Sequence, residues 1–180
     1  MTALNPRQLT AELGKSRDLP ELLSMQRRHG DQFNEFHLSA FWSKFKALAR
    51  GERGTYRDSI APVCEQTVRM LPELHARSVS TIAHALAKAG LVGTGPWESV
   101  WEALPEAVRR LRGSFNPQDL SNTAWAFATA GHEAPALFKA ISAEAVHRRL
   151  GGFDEQALSN TAWAFAPTGH TSHELFNICF

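Results

Sequence analysis

The chain is short of cysteine, of net charge and of long apolar runs, and each shortage excludes a class of protein. Its two cysteines, Cys64 and Cys179, lie far apart without CxxC spacing. The sequence therefore indicates neither a disulfide framework nor a zinc site, and a reducing compartment fits. Across 180 residues, 19 basic side chains face 18 acidic ones. That balance argues against a long disordered tail. It also argues against gripping nucleic acid by bulk charge, because domains that do so usually have a pI above about 9, whereas this one is near 7.9. No apolar run approaches the roughly 18 to 20 residues that span a bilayer, so no membrane partner is expected. The N-terminus carries Arg7 and Lys15 but is interrupted by Glu12. It lacks the apolar stretch of a secretory signal, and with an acid it makes a poor transit peptide.

The motifs of common catalysis are also missing. There is no GxxxxGKS or GxxxxGKT, no GxGxxG after a strand, no GxSxG and no HExxH. His170 and His173 have i, i+3 spacing without a third ligand close by, and Glu102, Glu106 and Asp154 show no pairing suited to acid–base work. The expectation is a protein that is not an enzyme and that carries no cofactor and no metal.

What the chain does have is a repeat. Residues 120–128 read Leu-Ser-Asn-Thr-Ala-Trp-Ala-Phe-Ala, and residues 158–166 repeat the same nine letters at an offset of 38. The likeness extends outward through Phe115 and Phe153, Gln118 and Gln156, Gly131 and Gly169, His132 and His170, and Leu137-Phe138 and Leu175-Phe176. A weaker copy starts at Val79 and ends with Gly90, at an offset of 41. A degraded one, at a further 41, holds Leu38, Ser39 and Phe45, with Trp42 and Ser43 where later copies have Ala and Trp. The units run 33–73, 74–114, 115–152 and 153–180, the last incomplete, after a leading helix or cap over 1–32. Stopping partway through a unit points to a fragment, since terminal repeats need a polar cap.

Each unit reads as two helices. The first begins at Asn34, His75, Asn116 or Asp154, and Asn and Asp side chains accept the orphan N–H groups of a helix start. Pro117 occupies the first helical position, where its missing N–H is harmless. Phe33, Leu74, Phe115 and Phe153 precede the caps, and Leu38, Val79, Leu120 and Leu158 follow five residues later, the spacing of a hydrophobic staple. Gly90, Gly131 and Gly169 then end the helix. Leu120, Ala124, Phe127, Ala128 and Gly131 fall on one face of a 3.6-residue period. The second helix of the third copy covers about 134–150, with Ala136, Leu137, Ala140, Ile141, Ala145 and Leu150; the second copy offers Val100, Leu104, Val108 and Leu111. Neither helix alone buries its apolar face, but stacked pairs do. The expected fold is all-α, an α-solenoid with a repeat of about 38–41 residues.

The period, with Pro-Gln-x-Leu-Ser-Asn-x-x-Trp-Ala-x-Ala and then Gly-His, resembles the octotricopeptide repeat. The matching residues are Pro117, Gln118, Leu120, Ser121, Asn122, Trp125, Ala126, Ala128, Gly131 and His132. In the fourth copy they are Gln156, Leu158, Ser159, Asn160, Trp163, Ala164, Ala166, Gly169 and His170. That family is related to organellar proteins with FAST-kinase-like helical repeats and a terminal RAP domain, and the chain also resembles helical repeat subunits of the RNA-editing substrate-binding complex. The resemblance covers residues 20–180 and is strongest in the third and fourth copies. It implies a mitochondrial or chloroplast protein that binds single-stranded RNA in transcript stability, processing or translation, with protein partners in a ribonucleoprotein complex. The 41-residue early spacings break a strict register, and without a RAP-like domain in this sequence no activity of that domain carries over. The alternative is a protein–protein interaction scaffold with no nucleic-acid ligand, since fold does not fix function.

In helical-repeat RNA binders each unit offers two or three side chains to one base. The candidates lie opposite the core stripe of the first helix: Gln118, Asn122, Trp125 and Thr129, repeated as Gln156, Asn160 and Trp163. Thr81 holds the Asn position in the second copy. Gln118, Asn122, Gln156, Asn160 and Thr81 are the expected base contacts, because amides carry both donors and acceptors. Arg109, Arg110, Arg112, Lys139, Arg148 and Arg149 recur late in or along the second helices and are the expected phosphate contacts. Other readings stay open. Asn122 and Asn160 also suit a ladder between adjacent first helices, Ser121 and Ser159 suit packing, and Trp125 and Trp163 suit burial between repeats. The arginines also suit a solvated face at a helix C-terminus. His132 and His170 suit a structural loop.

Overall fold

The computed structural model describes residues 4–49, 56–149 and 151–166. These contain nine α-helices and no strand: α1 (Pro6–Lys15), α2 (Leu19–His29), α3 (Glu35–Leu48), α4 (Ala61–Met70), α5 (Ala76–Lys88), α6 (Glu98–Leu111), α7 (Pro117–Ala130), α8 (Pro135–His147) and α9 (Glu155–Phe165). Among the described residues no helix is long and apolar enough to cross a membrane. Gly169, His170, His173, Cys179, Leu150 and the second helix expected in the fourth unit lie outside the described residues.

The helices sort into two rows by their packing. In one row α1 packs on α3, α3 on α5, α5 on α7 and α7 on α9; in the other α4 packs on α6 and α6 on α8. In that second row α2 meets α4 through a Gln26–Gln66 amide hydrogen bond of 3.4 Å. The rows share one core, in which Trp42, Trp101, Phe41, Phe127 and Phe138 are fully buried. Two indoles are satisfied inside it: Trp42 Nε1 donates to Thr67 at 3.0 Å and Trp101 Nε1 to the Leu91 carbonyl at 2.8 Å. Bonds of this kind allow a tryptophan to be fully buried.

First-row helices start where the sequence predicts, and they are capped in one of two ways. Asn34, Asn116 and Asp154 accept from the N–H groups of the following turn, and His37 and Asp119 reach back to complete capping boxes. His75 caps nothing with its own side chain. Instead Glu35 of α3 reaches across, accepting from His75 N at 3.0 Å, Ser78 Oγ at 2.6 Å and the His75 ring at 2.6 Å. Burial raises the Glu35 pKa, but the Ser78 hydroxyl and the His75 backbone and ring outweigh it and hold the carboxyl below its ordinary value. At the far ends, Gly90 and Gly131 stand at φ +70° and +66°. Paired bonds from residues 90 and 91, and again from 131 and 132, close the last turn of each helix. This is the Schellman arrangement, which favours glycine at its left-handed position.

Two details differ from the expected pattern. The leading stretch holds a helix pair, α1 and α2. Its start, Leu4-Asn5-Pro6, parallels Phe115-Asn116-Pro117, and Asn5 and Gln8 form a capping box. On α8, Ala136 is exposed and Phe138 is buried in its place. The stripe there is Leu137, Phe138, Ile141 and Ala145, one residue, or about 100°, around the helix from Ala136.

Candidate nucleic-acid interface

α5 and α7 are each covered by a second-row helix and by first-row helices on either side, which leaves one outward strip. On α7 that strip holds Gln118 and Thr129, exposed, and Asn122 and Trp125, half-buried. On α9 it holds Gln156, Asn160 and Trp163. The equivalent strip of α5, read through the 41-residue offset, is Arg77, Thr81, His84 and Lys88; that of α3 is Phe36, Ala40, Ser43 and Ala47. The expected base contacts Gln118, Asn122, Gln156, Asn160 and Thr81 therefore share one surface across three neighbouring helices.

Their polar groups are largely open. Gln156 Nε2 donates to Asn160 Oδ1 at 2.9 Å, which leaves Gln156 an acceptor and Asn160 its donors. Among the described residues no hydrogen bond joins Asn122 to Asn160, so the ladder between first helices is not formed there. Ser121 is buried, as expected for packing, and donates to the Gln118 carbonyl at 3.0 Å. Ser80 spans the α5–α7 boundary by donating to the Asp119 carbonyl at 3.1 Å. Ser159, without a described helix beyond it, is exposed.

The tryptophans depart from the burial expected between repeats. Trp163 is 51% exposed, and Trp125 is half-buried where it packs against the edge of the core. The Trp125 and Trp163 rings lie 6.4 Å apart at 33°, and His84 meets Trp125 edge-on at 5.3 Å. Lys88 Nζ lies 5.2 Å over the Trp125 ring, an attraction between a cation and the negative face of the π-system. Lys46 donates to His84 Nδ1 at 3.4 Å. Burial, with the charges of Lys46 and Lys88, pushes the His84 pKa down to about 4, so the imidazole stays neutral and accepts from Lys46 near neutral pH. Burial, with the charge of Lys88, also lowers the Lys46 pKa. The result is a cluster of cations and rings, Lys46, His84, Lys88, Trp125 and Trp163. Motif reading missed Lys46, His84 and Lys88. The signal was available in the offset, which sets His84 on Trp125 and Lys88 on Thr129.

The expected phosphate contacts sit apart from this cluster, on second-row helices and the turns that end them. Arg109 is held by Glu106 in a two-pronged pair at 2.6 and 2.8 Å. Arg110 donates to the Leu71 and Leu74 carbonyls at 3.1 and 2.9 Å, tying α6 to the turn between the preceding unit and its own. Arg148 pairs with Glu144 at 2.6 Å. Arg112, Lys139 and Arg149 are exposed. His132 stacks on Trp101 at 4.9 Å and 26°, closing the turn after α7. Burial lowers its pKa, against the raising charges of Glu98 and Glu102.

No protein-family model matches the chain.

Proposed function

We propose that the two rows are those of an α-solenoid and that its first-row strip holds single-stranded RNA. The resemblance to octotricopeptide repeats extends this to transcripts of a mitochondrion or chloroplast, with a role in their stability, processing or translation. The observation that carries the reading is the outward strip itself, where the amides of α7 and α9, with open hydrogen-bonding groups, lie beside Trp125 and Trp163 at the same positions of the two helices, with Lys88 against the Trp125 ring. Amides suit base edges, rings suit base faces, and lysines suit phosphates as point charges. The second-row arginines contribute less, because Arg109, Arg110 and Arg148 already have partners.

A protein-scaffold reading has its own support. Phe36 is 70% exposed on the same strip, and the charge balance is near neutral. Fluorescence anisotropy of the chain against labelled single-stranded RNA, double-stranded RNA and single-stranded DNA, at two salt concentrations, decides between them. A preference for single-stranded RNA that survives moderate salt is expected. A folded chain that binds none of the three points to the scaffold.

A further inference from the structure

We infer that the third and fourth copies form two equivalent base seats, which take the same nucleotide twice in succession. The inference rests on the RNA-binding reading above and specifies what that surface selects.

Each seat is a triad one helical face wide: Gln118, Asn122 and Trp125 on α7, and Gln156, Asn160 and Trp163 on α9. The triads are identical in residue type and in spacing, and the helices beneath them share a capped start and nine identical residues. Where two or three side chains of one unit meet one base, equal triads on equal helices meet equal bases. Among the described residues the amides of the third copy stand unjoined, and those of the fourth are joined. Gln156 donates to Asn160 at 2.9 Å, and this ties the two amides into one unit that presents an acceptor and a donor side by side. Paired donors and acceptors match a base edge, and a good two-point contact discriminates against the wrong base.

The rings set how the strand must lie. Trp125 and Trp163 are 6.4 Å apart, while successive nucleotides of a stacked strand are about 3.4 Å apart. Bases seated on the two rings are therefore unstacked from one another, and each is read alone. Charge complements them, since Lys88 lies over the Trp125 ring and Lys46 reaches His84 on the same strip. Among the described residues of the first two copies the pair of seats has no third equal. The second copy offers Arg77, Thr81 and His84, and the first offers Phe36, Ala40 and Ser43, neither with an amide. The two amide-bearing seats thus select at two adjacent positions.

The test is anisotropy of the whole chain with labelled dodecamers: uniform A, C and U, their alternating mixtures, and U dodecamers carrying either one GG pair or two separated G residues. One base, presented as adjacent copies, should bind about tenfold tighter than any oligomer that presents it only singly, the discrimination of one two-point contact. Asn122→Ala and Asn160→Ala should each reduce that ratio to near one. Trp163→Ala should weaken all the oligomers alike, by about tenfold, with the circular dichroism spectrum unchanged in all three variants. If single-stranded RNA is bound but adjacent and single presentations are equal, the equivalence of the seats is wrong while the RNA reading stands. If a folded chain binds no single-stranded RNA, both fall.

Discussion

The first and third repeats carry the same two kinds of residue in opposite order. On α3 the pair is Trp42-Ser43; at the equivalent place on α7 it is Ala124-Trp125. Trp42 is fully buried, crossed edge-on by Phe41 at 5.7 Å and by Phe45 at 5.6 Å, whereas Trp125 lies half-buried on the outward strip. One position along the chain is about 100° around the helix, and that is enough to exchange core for surface. The helices keep their caps and staples through the exchange, so the architecture depends on the inward positions and leaves the outward ones free to take up a binding role. The sharpest way to break the contrast is to remove each ring. Trp42→Ala should cost about 3–5 kcal/mol, as buried aromatic truncations do, with the Thr67 hydroxyl losing its donor. Trp125→Ala should cost about 1 kcal/mol, the burial of part of one ring, while weakening RNA binding. Urea unfolding monitored by circular dichroism measures both. Equal losses would mean that the outward strip is as structural as the core.

A second contrast separates helices that cap themselves from the one that borrows a cap. Glu35→Ala and Asn116→Ala should each cost about 0.5–2 kcal/mol, but for different reasons. Asn116 serves its own helix, whereas Glu35 serves the helix of the next unit. Changing His75 to Asn gives α5 a local cap, so in that background Glu35→Ala should cost measurably less. Asn116→Ala should be indifferent to it. The borrowed cap also has a pH signature. The Glu35 carboxyl is depressed in the folded chain, so the unfolded state binds the extra proton as pH falls. Its stabilisation is complete above the unfolded value of about 4.3 and is lost as pH falls through the lower folded value. The acid side of a melting-temperature profile should therefore flatten in Glu35→Gln.

The helical framework was legible in the sequence because it is written in local terms. Asn34, Asn116 and Asp154 cap helices through their own next turn, and Gly90 and Gly131 end them by a backbone conformation that needs no partner. The outward strip was half legible. The amides stood out as repeated letters, while Lys46, His84 and Lys88 did not, because their grouping with Trp125 spans three helices and exists only once those helices pack. The arginines show a different gap. Arg109-Arg110 and Arg148-Arg149 recur at similar places, but recurrence does not say what a guanidinium touches. Two backbone carbonyls hold Arg110, and acids hold Arg109 and Arg148. Glu35 was invisible for a related reason: its partners lie 40 and 43 residues away.

The smallest expected effect on stability gives the most specific reading of the two rows. Lys88 is exposed at the end of α5, and its contact with Trp125 is a surface cation–π pair, worth about 0.5–1 kcal/mol at such sites. Lys88→Gln should hardly move the melting temperature. If Lys88 neutralises a phosphate, the slope of log K against log salt for single-stranded RNA should become shallower by about 0.7, the counterion released per contact. Arg110→Gln should do the opposite, leaving the slope unchanged and lowering stability, because its donors are spent on the Leu71 and Leu74 carbonyls. A slope that responds to Arg110 and not to Lys88 would move the phosphate path off the first-row strip and onto the second row, and the amides of α7 and α9 would then face solvent without a ligand.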